Sequence, residues 1–105
     1  MPSPKTINRE DVILKTSDVL IRVLRLEQGS STGWHHHSVV SDFVVCLSGE
    51  VEVETKNPEQ SKVLLPGQRY RIEPMQLHCV KNSSTITSEY LLVQGIGSYD
   101  FIPYR

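Results

Sequence analysis

Short apolar or alternating runs, each broken by Gly, Pro, Asn or Ser, dominate the chain. Val19 to Leu26 is one run, closed by Glu27-Gln28-Gly29, and Asp42 to Leu47 is a second, closed by Ser48-Gly49. Val51, Val53 and Thr55 alternate with Glu50, Glu52 and Glu54, the period of two that a half-solvated strand shows. Ser48-Gly49 therefore predicts a hairpin turn between the strands it separates. Asn57-Pro58-Glu59 predicts another turn, and Val63-Leu64-Leu65 a short strand stopped by Pro66-Gly67. Tyr70 and Ile72 alternate with Arg69, Arg71 and Glu73 up to Pro74. His78 and Val80 alternate with Cys79 and Lys81 up to Asn82-Ser83-Ser84, and Ser88 to Gln94 ends the series at Gly95. Turns recur roughly every 8 to 12 residues, the spacing of an all-β sandwich or closed barrel. No window keeps a helical apolar period, and Asn8-Arg9-Glu10-Asp11 predicts one helical turn at most.

Length and composition narrow this picture. A chain of 105 residues predicts one domain spanning 1–105. The net charge of -1 and pI near 6.4 come from interspersed acids and bases, so no basic stripe suggests a nucleic-acid partner. No run approaches the roughly 18 apolar residues of a membrane span. Met1-Pro2-Ser3-Pro4-Lys5 lacks the apolar stretch of an export signal, which makes a cytoplasmic location the expectation. Cys46 and Cys79 have neither CxxC nor zinc-ribbon spacing, and no disulfide between them is expected there.

Candidate chemistry concentrates in Trp34-His35-His36-His37. On a strand, His35 and His37 share one face while His36 points oppositely. Two imidazoles on one face are a ready pair of nitrogen ligands, although such pairs also occur on solvated faces. Further donors must come from other strands, and Asp42 and His78 are the candidates. Imidazole with carboxylate suits Zn, Fe, Ni, Cu or Mn rather than calcium.

The glycines and prolines around these residues carry a family resemblance. Gly29, His35, His37, Asp42 and Gly49 are spaced as in the first cupin motif, with Asp42 standing where that family usually has Glu. Gly67, Pro74, His78 and Asn82 resemble the second motif. There, Gly67 to Pro74 is one residue longer than the pattern and Pro74 to His78 one shorter, so the offsets cancel. The motifs cover about residues 29–49 and 67–82, and the chain resembles a small single-domain bacterial cupin. The resemblance implies a double-stranded β-helix, a jelly-roll-like barrel of two antiparallel sheets. It also implies one divalent transition metal held by His35, His37, Asp42 and His78. Asp42 is one methylene shorter than Glu, about 1.5 Å, so direct ligation requires backbone adjustment or a bridging water.

Several neighbours are weighed against plainer roles. Cys46 shares parity with Asp42 and is a candidate cavity-lining residue, as is Tyr70; a small buried hydrophobe is the plainer reading of Cys46. Gln94, polar within an apolar strand, needs a partner in the cavity or on its own backbone. Arg22 and Arg25 lie on opposite faces, so one of them is expected to look inward, where it would clamp a substrate carboxylate or pair with an acid at the barrel edge. Trp34 is expected to pack at the rim, and the tail from Gly95 to Phe101 over the barrel end or across a dimer.

For function, the resemblance favours a metal-dependent enzyme of dioxygenase, isomerase or lyase type acting on a small oxygenated or carboxylated molecule. A small-molecule sensor without turnover and a purely structural barrel are the alternatives. A homodimer is expected, with Lys5 to Leu14 adding to a partner's sheet.

Overall fold

The computed structural model describes Ile7 and residues 9–104, which form ten strands and, among the described residues, no helix. In chain order these are β1 (Arg9–Lys15), β2 (Val19–Leu26), β3 (His35–His36), β4 (Ser41–Ser48) and β5 (Val51–Thr55). Then follow β6 (Gln60–Leu64), β7 (Arg69–Ile72), β8 (His78–Lys81), β9 (Ser88–Gly95) and β10 (Ile102–Pro103). They build two five-stranded sheets, ordered β1-β2-β9-β4-β7 and β10-β3-β8-β5-β6, with antiparallel pairing throughout.

Alternation creates the core. On β9, Ser88, Tyr90, Leu92 and Gln94 are buried while the residues between them are only half-buried. β5 does the same with Val51, Val53 and Thr55 inward and Glu52 and Glu54 outward. Leu24, Leu26, Val44, Tyr90 and Leu92 of the first sheet meet Val51, Val53, Leu64 and Val80 of the second. Each such aliphatic burial contributes about 1.5–3 kcal/mol, and the layer fixes how the sheets face one another. Asn82 locks the rim of this layer: its amide donates to Leu26 O at 2.9 Å and Ile86 O at 2.6 Å.

Three expectations require correction. Ser48-Gly49 is no hairpin, because β4 pairs with β7 and β9 whereas β5 pairs with β6 and β8. The chain crosses there from one sheet to the other, and both strands show period two because both face the same core. Arg9–Lys15 is a strand paired with β2 of its own chain, not a helical turn. All seven positions of this edge strand are exposed, the charged Arg9, Glu10, Asp11 and Lys15 as well as the apolar Val12, Ile13 and Leu14. Of the segments assigned to a helical turn and to a partner's sheet, Lys5, Thr6 and Asn8 lie outside the described residues. The tail adds β10, whose Pro103 is tolerated because that strand is an edge. Finally, β6 begins earlier than Val63, because its pairing with β5 runs from Thr55↔Gln60 to Val51↔Leu64.

The crossing at Gly49 is tight. Gly49 has φ +71°, and a Cβ there would lie 2.4 Å from Ser88 Oγ and 2.8 Å from Thr87 O. Gly67 has φ +87° but open space around it. Gly67→Ala is expected to cost about 1–2 kcal/mol from backbone conformation alone. Gly49→Ala is expected to cost about 1–3 kcal/mol more through overpacking. Urea unfolding of both variants measures the difference; equal losses would refute the steric role of the crossing.

Candidate metal centre

Strand pairing assembles one cluster at the end of the inter-sheet space. His35 on β3 stands directly across from His78 on β8, and Asp42 at the start of β4 stands across from Gln94 near the end of β9. His37 follows β3 immediately, and all five side chains are at least nine-tenths buried. One donor atom from each of His35, His37, Asp42 and His78 lies within 4.8 Å of the others. The ring centroids of His35 and His78 are 4.2 Å apart, and those of His35 and His37 4.8 Å.

The backbone decides which nitrogen each ring offers. Nδ1 of His35 meets Gly33 O at 2.8 Å, Nδ1 of His37 meets Asp100 O at 2.6 Å, and Nδ1 of His78 meets Gln76 O at 2.8 Å. A carbonyl only accepts, so each Nδ1 carries the hydrogen and donates. In the neutral ring that leaves Nε2 as a bare lone pair. Three such lone pairs and a carboxylate therefore share one buried space. Asp42 Oδ2 lies 3.1 Å from His37 Nε2 and 3.2 Å from His78 Nε2, and Asp42 Oδ1 accepts from Gln94 Nε2 at 2.9 Å. His78 Nε2, despite that proximity, has no hydrogen-bond partner.

Acceptors crowded together in a buried site demand a cation or a proton. Burial, with His78 beside it, pushes the His35 imidazole down from 6.5 to about 3. Burial opposes charge on His37 too, but the Asp42 carboxylate outweighs it and raises that ring above its ordinary value. Asp42 is held well below the usual carboxylate range: burial works against ionisation, and the His37 and His78 imidazoles beside it overcome that. The donor set, with its orphaned nitrogen and carbonyl-braced rings, fits a divalent metal.

The tail closes this end of the fold. Phe101 stacks on His35 with centroids 4.2 Å apart, and the Asp100 carboxylate accepts from Ser38 N at 2.8 Å and from Ser38 Oγ. A cavity of only about 20 Å³ remains over the histidines, bounded by His35, His37, Arg22, Gln94, Tyr99 and Phe101. That is room for about one water.

Sequence-derived candidates divide accordingly. Gln94 serves the site rather than its own backbone, and Arg22 is the inward arginine while Arg25 is exposed. Cys46 and Tyr70 do not line this cavity. Cys46 has the parity of Asp42 but sits four residues along β4, roughly 13 Å deeper at about 3.3 Å per residue. Its thiol points to Ser48 O and Gly49 O, each at 3.6 Å. Tyr70 packs half-buried against the core and donates its hydroxyl to Gln60 at 3.0 Å. His36 is half-buried outside the cluster, and Trp34 sits beneath the Lys56 ammonium at 5.0 Å. The roles of Asp100 and Phe101 had one sequence signal, a glycine-flanked aromatic tail after the last strong strand.

The Cupin domain family model matches residues 22–94, a span that contains all four clustered residues and both of their strand pairs. The chain belongs to the cupin family. This cupin has no match among curated proteins. Solved structures share its fold. A conserved protein with a double-stranded beta-helix domain from Klebsiella pneumoniae is 24% identical, with a TM-score of 0.79, covering 92% of this chain and 84% of that one. KdgF from Halomonas sp. is 18% identical, with a TM-score of 0.71, covering 91% and 80%. A recombinant oxalate oxidase in complex with glycolate is 15% identical, with a TM-score of 0.75, covering 82% of this chain but 46% of that one. Among the described residues of this cupin, no helix is long and apolar enough to cross a membrane.

The ionisation pattern makes acid the enemy of this cluster. His35 has a folded-state pKa of about 3 against an ordinary 6.5, so its contribution is complete above pH 6.5 and is lost as pH falls toward 3. Asp42, also depressed, contributes above its ordinary 3.8 and is lost as pH falls through its lower folded value. His37 has the opposite sign, and its contribution fades as pH rises through its elevated value. Protein stripped with a chelator is expected to lose Tm steadily between pH 6.5 and 3. His35→Gln is expected to flatten that slope; identical slopes by circular dichroism would remove His35 as the cause.

Proposed function

We propose that this cupin holds one divalent transition metal (Fe, Ni, Mn, Zn or Cu) on Nε2 of His35, His37 and His78 and on the Asp42 carboxylate. We propose further that it is a metal-dependent enzyme of dioxygenase, isomerase or lyase type acting on a small oxygenated or carboxylated molecule. The supporting observation is the convergence of three carbonyl-braced imidazoles and a carboxylate, with His78 Nε2 left without a partner. A metal bound there would act as a Lewis acid toward a substrate oxygen. The chain's own residues do the rest. Main-chain carbonyls orient the rings, Gln94 steadies Asp42, and Phe101 and Tyr99 exclude water. Oxalate oxidase among the structural neighbours supports turnover as the reading. The alternative, a sensor without turnover, draws support from the tightness of the cavity at about 20 Å³.

Elemental analysis of tag-free protein tests the metal. Wild type is expected to carry roughly one ion per chain, as a four-donor site holds a single metal, and His37→Ala to lose most of it. Equal contents would refute the centre. Product formation from candidate acids separates enzyme from sensor.

Assembly as a homodimer fits the outer face of the β1-β2-β9-β4-β7 sheet. Ile21, Val23, Phe43, Val45, Leu91 and Val93 cover it, with Asp11 toward the β1 edge and Arg69 and Arg71 toward the β7 edge. A two-fold axis parallel to the strands would set each copy's Asp11 near the other's arginines. Light scattering at micromolar concentration is expected to give a dimer mass, and Phe43→Glu a monomer; a wild-type monomer would refute it. Free, buried Cys46 and Cys79 suit the reducing cytoplasm.

A further inference from the structure

A second and much larger cavity, about 490 Å³, lies beneath β1. That volume is in the range of small-molecule sites. Val12, Val19 and Leu20 supply apolar wall, Lys15 stands at its border, and Arg22 and Tyr99 belong both to this groove and to the small cavity over the histidines. The Arg22 guanidinium lies 5.1 Å from the Tyr99 ring centre.

Arg22 is incompletely partnered for a buried charge. Its side chain is 9% exposed, and a guanidinium presents five N–H donors. Nη2 donates to Gln94 Oε1, and Gln94 donates in turn to Asp42, so Arg22 stands two hydrogen bonds from the metal cluster. Nη1 reaches Glu10 Oε2 at 3.4 Å, long for a charge-assisted bond, which is normally about 2.7–2.9 Å. Nε is buried with no partner. Glu10 sits on the exposed edge strand β1, and its carboxylate is the acidic group that meets Arg22 at this groove.

We infer that Arg22 is the carboxylate-binding residue of this protein and that the groove beneath β1 admits its ligand, a small carboxylic acid with a short apolar stem. The acid's carboxylate takes the place of Glu10 on the guanidinium fork, and its stem lies along Val12, Val19 and Leu20. This rests on the metal-centre reading and deepens it, since it selects the carboxylated class of substrate and places its anchor. Tyr99 is the wall between anchor and histidines.

Calorimetry with acetate, propionate and succinate, against acetamide, propionamide and succinamide, tests the anchor. At least one acid is expected to bind wild type while its amide does not. Arg22→Gln and Arg22→Lys are expected to weaken that acid about tenfold or more, the worth of one charge-assisted hydrogen bond. Lys keeps the charge but loses the fork, so it also separates binding from charge balance. Glu10→Gln is expected to tighten the acid several-fold by removing the competitor. Thermal melts identify any variant that fails to fold. No acid bound by wild type, or an unchanged affinity in whichever Arg22 variant folds, overturns the assignment. A fall in Tm without a change in affinity leaves Arg22 as an ion-pair partner of Glu10 and also overturns it. Metal content measured on the same samples keeps the two readings apart: protein without metal whose acid binding still depends on Arg22 sinks the centre and upholds the anchor.

Discussion

Three hydrogen bonds from imidazole Nδ1 to main-chain carbonyls set the chemistry of this protein. Gly33, Asp100 and Gln76 supply those carbonyls from three different segments, and none of them is a strand residue. By accepting from Nδ1 they leave three Nε2 lone pairs in one space with the Asp42 carboxylate, an arrangement that is unfavourable when buried unless a cation enters. Site and stability are therefore linked. The same burial that keeps His35 neutral makes the cluster sensitive to acid, and the carboxylate that neutralises a proton is the one that suits a metal.

The two-sheet architecture is what makes such a cluster affordable. A single sheet would leave one face of each histidine in water, whereas here β3 and β8 approach from one sheet and β4 and β9 from the other. The aliphatic layer of Leu24, Val44, Val53, Val80 and Leu92 fills the space below, and the tail shuts the space above. Polar groups are thus confined to one end of an otherwise apolar interior. Gln94 and Arg22 extend that polar end sideways toward the groove under β1, which gives the centre a flank as well as a mouth.

Much of this was legible in the chain. Val19–Leu26 and Val51–Thr55 announce their bounds through alternation and glycine, and both were observed with those bounds. The parity of His35 and His37, with Asp42 and His78 at cupin spacing, placed all four residues of the cluster in advance. Other features were illegible for physical reasons. Alternation says that a strand has an inner face but not which strand it pairs with, so Ser48-Gly49 looked like a hairpin. Parity says which face Cys46 takes but not how deep it sits. β1 mixes charged residues with Val12, Ile13 and Leu14 and has no buried face, so it shows none of the alternation by which a strand is read.

Composition and pattern alone determined an all-β chain with one histidine-rich focus, because strand period and ligand spacing are local properties that survive without coordinates. Only the tertiary structure decided that Asp100 and Phe101 close the site, that Gln94 bridges Asp42 to Arg22, and that Arg22 rather than Arg25 turns inward. Those outcomes join residues more than fifty positions apart in the chain. Contacts of that span depend on how two sheets stack and where a tail returns, which no short window of sequence encodes.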